Sequence, residues 1–359
     1  MPAQRTMRAI HAMLLALPAL TAGHAHAAID PEILSPVPVV QDGRLDVKTE
    51  LGAGSLPIHT SRDWTLPQPD VTRAIVVIHG WPRRDLRSGE YAAAHAGSAA
   101  QDAIIVTPQF LIPADIAAHH LPDTVLRWGI NAWAAGDDAE GPAPISSFDA
   151  LDAILARLAD RLVFPNLRTV VIAGHSAGGR FVQHYAAISH GQAPLLNTGI
   201  HIRYVVANPS VYLYFTSARP VAPPTPCPGV NRWQYGLGSG LPRYALRPVE
   251  PDALRAAYLA RDITYLLGTA DTDPTESQLD RTCAGEAQGA TRFERGIAYL
   301  KQLRPPGAQA PGQTLFLVPG IGHHSSQMFA SACGLFALFD QGQCATAAAP
   351  DTAVPTEPH

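Results

Sequence analysis

Short, nearly continuous apolar runs alternate with helical stretches along most of this chain. The runs are Ala74–Ile78, Ala103–Thr107, Val170–Ala173, Ile202–Ala207, Ile263–Leu267 and Thr314–Val318. Runs of this kind, rather than alternating ones, suit strands covered on both faces, as in parallel sheets. Between them the sequence predicts an alanine-rich helix over Glu90–Ala100. A second helix is capped by Ser146 or Ser147 and carries the stripe Phe148, Leu151, Ile154, Leu155, Leu158 and Leu162. Others follow near Arg180–Ile188, Asp252–Ala260, Thr291–Leu303 and Ser325–Phe339. This order predicts an α/β fold, a doubly wound and mostly parallel sheet. Ligands of such sheets bind at the carboxyl ends of the strands.

Three stretches depart from the alternation. The proline-rich lead from Ala28 to Pro69 offers short strands at most, around Val37–Val40 and Arg44–Lys48. Gln109–Pro144 lacks periodicity and carries Trp128 and Trp133, so it reads as a long functional loop. From about residue 209 to 260 the chain is rich in proline, glycine and aromatic residues, and it reads as a cap inserted over the carboxyl edge of the sheet.

Composition narrows the class. In 359 residues, 47% are hydrophobic and 16% charged, which describes a globular chain. A net charge of −4 leaves no basic surplus for a phosphate backbone, so nucleic acid is not an expected partner. Residues 1–27 have the layout of a signal peptide: Arg5 and Arg8, an apolar core from Ala9 to Leu20, and Ala25-His26-Ala27 as the cleavage site. No segment is long and apolar enough to span a membrane. The expectation is a secreted or periplasmic protein with a catalytic domain over 28–344 and a disordered tail over 345–359. Export permits disulfides. Cys227, Cys283, Cys333 and Cys344 allow three pairings. The closeness of Cys333 and Cys344 favours a local bridge there, leaving Cys227 for Cys283, with free buried thiols as the alternative.

Three strand ends carry the chemistry. Val170–Ala173 runs into Gly174-His175-Ser176-Ala177-Gly178, a Gly-x-Ser-x-Gly turn that lifts a serine hydroxyl above the sheet. Serine is a poor nucleophile without a base, and the base needs an orienting acid. Gly268-Thr269-Ala270-Asp271 follows the strand at 263–267, and Pro319-Gly320-Ile321-Gly322-His323 follows the last strand. Asp273 and Asp262 compete with Asp271, and His324 competes with His323. Spacing favours Asp271 and His323.

With these motifs and His79-Gly80-Trp81 after the strand at 74–78, the chain resembles α/β-hydrolase fold enzymes over about Ala74–Phe339. It is most similar to secreted bacterial serine hydrolases of esterase or lipase type. The resemblance implies Ser176 as nucleophile, Asp271 as orienting acid and His323 as base. Backbone N–H groups of Ala177 and Trp81 are expected to form the oxyanion hole. The short His-Gly-Trp form departs from the His-Gly-Gly-Gly form of some lipases.

Other residues admit two readings each. Arg83 and Arg84 could clamp a substrate anion or form a solvated face. Trp233 and Tyr235 could wall the substrate site or pack the cap. His79 is expected to pin its loop. The pairs His119-His120 and His323-His324 lack further ligands at metal spacing, so no metal is expected, and the chemistry needs no cofactor. Gly236-Leu237-Gly238-Ser239-Gly240 lacks the lysine and preceding strand of a phosphate loop. The expected activity is hydrolysis of an ester, with an amide as the extension, on a small-molecule or polymeric substrate. The alternatives are a peptidase or carbohydrate esterase with the same triad, and a catalytically silent binding protein on the same fold. Oligomeric state is not legible.

Overall fold

The computed structural model describes residues 31–305, 310 and 312–345. The signal peptide and nearly all of the C-terminal tail expected from the sequence lie outside the described residues.

Eight strands form one sheet in the order β1-β2-β4-β3-β5-β6-β7-β8. They are β1 (Arg44–Thr49), β2 (Gly52–Thr60), β3 (Arg73–Ile78), β4 (Ala103–Pro108), β5 (Thr169–His175), β6 (His201–Ala207), β7 (Asp262–Gly268) and β8 (Gln313–Val318). From β4 onward across the sheet every pairing is parallel, while β2 is antiparallel to both β1 and β4. The doubly wound, mostly parallel sheet expected from the apolar runs is therefore present.

The lead-in departs from expectation. Val37–Val40 forms no strand, whereas the nine residues of β2 do. Gly-Ala-Gly-Ser-Leu-Pro is a poor strand sequence by propensity. Pairing overrides that preference: Gly52–Pro57 lies against β1, and Ile58–Thr60 continues the strand against β4.

Alternating side chains of the central strands build two cores. Val76, Ile78, Val170, Ile172 and Val206 join the helices Ser147–Leu158, Ala177–Ile188 and Arg292–Leu303 on one face. Ile75, Val77, Val171, Ala173 and Val205 meet the helices Ser88–Ala96 and Ala332–Phe339 on the other. All twelve residues of Ala177–Ile188 are buried, because the irregular chain beyond β6 covers its outer side.

Two expected helices are shorter than their apolar stripes suggest. Leu162 lies past the end of Ser147–Leu158 and is 85% exposed. The C-terminal helix is broken at Ser331, whose extended backbone (φ −66°, ψ 160°) ends Ser325–Ala330 and caps Ala332–Phe339. The hydroxyl of Ser331 accepts from the Gly334 N–H, a local bond that competes with helix continuation.

Gln109–Pro144 is less a free loop than a piece of core. Trp128 and Trp133 are fully buried, and the Trp128 indole N–H donates to the Ile145 carbonyl. Both disulfides form with the expected pairing, Cys227–Cys283 and Cys333–Cys344. Among the described residues, no helix is long and apolar enough to cross a membrane.

Candidate active site

Ser176 stands between β5 and the helix Ala177–Ile188 at φ +60° and ψ −123°. A residue with a Cβ adopts that backbone only when its surroundings enforce it. Two glycines permit the enforcement. A Cβ on Gly174 would lie 2.2 Å from the Gly178 carbonyl oxygen, and one on Gly178 would lie 2.2 Å from that of Ile78. The turn is thus closed on itself and pressed against the end of β3. The Ser176 N–H adds a bond to the Ala207 carbonyl at the end of β6 (3.0 Å).

The ends of β7 and β8 bring in two more side chains. His323 donates from Nδ1 to Asp271 Oδ2 at 2.8 Å, and its Nε2 lies 2.9 Å from Ser176 Oγ. Asn208, at the end of β6, holds these ends together. Its Oδ1 accepts from the Gly268 N–H (2.9 Å), and its Nδ2 reaches the Gly322 carbonyl (3.5 Å). The competing residues are elsewhere. Asp273 is exposed and accepts from the N–H and hydroxyl of Thr275. Asp262 pairs with His201 and Arg203. His324 is exposed at the start of Ser325–Ala330.

Electrostatics favour a neutral imidazole. Burial, and then the charge of Arg292, hold His323 below the ordinary histidine range. Asp271 feels opposing pulls: burial raises its carboxyl and Arg292 lowers it, with burial the larger. With Nδ1–H directed to Asp271, the lone pair on Nε2 faces the serine hydroxyl. His175, whose ring lies 4.5 Å from that of His323, is likewise pushed well below its usual range, first by burial and then by His323.

The chain has the α/β-hydrolase fold. It resembles the crystal structure of LpqC, a poly(3-hydroxybutyrate) depolymerase from Bordetella parapertussis, at 24% identity over 82% of this chain and 89% of that one (TM-score 0.55). It also resembles poly(aspartic acid) hydrolase-1 from Sphingomonas sp. KT-1, at 24% identity over 82% and 96% (TM-score 0.53). No protein-family model and no curated protein matches the sequence.

In this hydrolase fold the loop His79–Trp81 flanks the elbow, with the Cβ position of Gly80 3.9 Å from the Cβ of Ser176. His79 pins the loop. Its Nδ1 donates to the Gly80 carbonyl (2.8 Å) and its Nε2 accepts from the Phe110 N–H (3.0 Å). Burial lowers it to about 4, so it stays in this neutral tautomer. Trp133 leans on the same ring at 4.5 Å, and the Trp81 indole N–H donates to the Ile130 carbonyl (3.1 Å). Ala177 opens the helix, where a first-turn N–H has no intrahelical acceptor.

Three of the four residues weighed as substrate contacts are buried and bonded within the protein. Arg83 is fully buried, in a two-pronged pair with Asp115 (3.0 and 3.2 Å) and bonded to the carbonyls of Ile33 and Ser35. It fastens the N-terminal segment and has no face left for substrate. Trp233 is buried, with its indole N–H on the Ala135 carbonyl (2.7 Å). Tyr235 is buried, and its hydroxyl donates to the half-buried Asp280 (2.7 Å). Both pack inward in this structure, the arrangement that the second of the two readings describes. Arg84 is exposed and pairs with Glu32. Asn208 and Arg292 carried no functional expectation. The Asn-Pro step after β6 was a visible signal for the first, while Arg292 sits in an ordinary helix start.

Proposed function

We propose that this protein is an exported serine hydrolase that cleaves a carboxylic ester through an acyl-enzyme. The unbroken relay from Ser176 Oγ through His323 to Asp271 carries this reading. His323 Nε2 takes the hydroxyl proton as Oγ attacks the ester carbonyl, and Asp271 stabilises the imidazolium that forms. The negative oxygen of the tetrahedral intermediate is held by the N–H groups of Ala177 and Trp81. His323 returns its proton to the leaving alcohol, and water then repeats the sequence on the acyl group.

The two similar solved structures act, by their names, on a polyester and on poly(aspartic acid), which supports a polymer ester or amide among the substrates. The segment 209–260 serves as a cap bounding the acyl site. The two disulfides support an oxidising compartment, outside the cytoplasm.

The test compares wild type with Ser176→Ala on short p-nitrophenyl esters and with a fluorophosphonate probe. Turnover should fall by at least about a thousandfold and labelling should vanish. Equal labelling of the two proteins would remove Ser176 from the mechanism. Folded wild type that neither turns over nor labels would favour the silent binding protein. Parallel rates on a polyester and a polyaspartate oligomer separate ester from amide preference.

A further inference from the structure

Behind Asp271 stands an arginine that the acyl-transfer scheme does not use. Arg292 opens the helix Arg292–Leu303, whose cap Thr291 accepts from the Glu294 N–H. The neighbouring Phe293 N–H donates to the Asp271 carbonyl at 3.2 Å, which fixes this helix start against the acid. The Arg292 side chain is 1% exposed, and its Nη1 lies 3.7 Å from Asp271 Oδ1, the oxygen that His323 does not engage. That is an ion-pair distance and too long for a hydrogen bond. Nη2 meets Glu276 Oε2 at 2.5 Å, whereas Nε and Nη1 have no hydrogen-bond partner among the described residues.

The contrast with Arg83 is informative. Arg83 is equally buried, but it spends four hydrogen bonds joining separate parts of the chain. Arg292 makes one, to a partly exposed glutamate, and otherwise presents bare charge to the acid of the relay. Leaving buried guanidinium N–H groups unbonded is costly, so geometry alone is a weak reason for an arginine here. Charge is the stronger one.

We infer that Arg292 and Glu276 form a positioning pair that sets the acid limit of the Ser176–His323–Asp271 site, with Arg292 holding Asp271 ionised and His323 unprotonated, and Glu276 moderating that effect. This rests on the triad reading given above. The charged and titratable groups that face His323 are Asp271 from the turn after β7, Glu276 beyond it, Arg292 from its helix, His175 from β5 and His324 from its own loop. Asp85 is held two residues along by the Ser325 hydroxyl. Burial is the largest influence on His323. Among the charges, Arg292 and His324 oppose its protonation and Glu276 favours it. The two members of the pair therefore act with opposite sign.

The deciding measurement is kcat/KM against pH for wild type, Arg292→Met, Arg292→Lys and Glu276→Gln. Removing the positive charge should move the acid limb to higher pH, by about one unit or more for a charge this near. The lysine variant, which keeps the charge, should restore most of that shift. Glu276→Gln leaves Arg292 unopposed, so its acid limb should move to lower pH. Thermal unfolding and fluorophosphonate labelling at alkaline pH check that each variant is folded. If Arg292→Met fails to fold, the downward shift in Glu276→Gln alone decides. Unshifted limbs in folded variants, or shifts of the same sign in both, overturn the inference while leaving the triad intact. Loss of Ser176-dependent turnover in wild type would instead overturn the triad and, with it, the inference.

Discussion

At Gly178 the absence of a side chain lets the turn around Ser176 press against the end of β3. Its missing Cβ would collide with the backbone oxygens of Ile78 (2.2 Å) and His79 (2.6 Å), neither of which can swing away as a side chain can. Gly178→Ala must therefore separate the His79–Trp81 loop from the elbow. A displacement on the order of 1 Å costs about a hundredfold in rate, so kcat/KM on a p-nitrophenyl ester should fall at least that far, with a lowered Tm. Gly229 has nothing within 4 Å of its Cβ position, so Gly229→Ala should match wild type in both measurements. A Gly178→Ala enzyme with wild-type activity would mean that the close approach is not needed. Asn208 works at the same scale. One amide side chain bonds the ends of β7 and the His323 loop, which keeps Asp271 and His323 in reach of each other.

The elements around the site differ in how they are held. The segment 210–249 contains no helix or long strand and is fastened by side chains: Trp233 to Ala135, Tyr244 to Asp152, and Arg243 to Asp138 and Asp149. Cys227–Cys283 ties it to the chain beyond β7, closing 56 residues, while Cys333–Cys344 closes only 11. On the chain-entropy argument the longer loop contributes about 4 kcal/mol and the shorter about 3. Cys227→Ser with Cys283→Ser should thus lower the denaturation free energy more than Cys333→Ser with Cys344→Ser. Guanidinium unfolding of the two double variants checks the order, and the reverse order would show that native contacts outweigh loop length here.

Across the whole molecule, Asp152 joins three parts. From the helix Ser147–Leu158 it accepts hydroxyl bonds from Tyr185 of the elbow helix (2.6 Å) and Tyr244 of the irregular segment (2.9 Å). Burial raises its carboxyl to about 6, against a partial lowering by the two tyrosine bonds. The sign follows from linkage. A folded pKa above the unfolded value means that the fold binds the proton more tightly, so this group's contribution is greatest below the unfolded value near 4. It is lost as pH rises through about 6. The amount is at most roughly 3 kcal/mol. Denaturation free energies for wild type and Asp152→Asn should therefore diverge across that window, with the variant showing the flatter dependence. Identical pH profiles would mean that Asp152 is not titrating in the fold.

Part of this molecule is legible in its sequence. The six parallel strands announced themselves as apolar runs, because a strand covered on both faces has no polar side to show. Ser176, Asp271 and His323 were visible as candidates because each follows such a run in a glycine-bearing turn. Both disulfide pairings could be favoured from separation along the chain. Other features came only from the tertiary structure, since they depend on distant pieces meeting. The strand β2 forms through partners that supply its edges, against its own composition. Arg83 became a buried clamp because Asp115 folds back onto it, and Trp233 and Tyr235 turned inward because the irregular segment has core to cover. Asp271 was separated from Asp273 by direction alone, one carboxylate facing His323 and the other folded onto Thr275. The charge of Arg292 behind Asp271 had no local signature. By itself, then, the sequence determined the six parallel strands and the three candidate groups at their ends, because burial and turn chemistry are local. Packing decided which arginines and aromatics are occupied and what surrounds the relay, because those are properties of pairs of residues far apart in the chain.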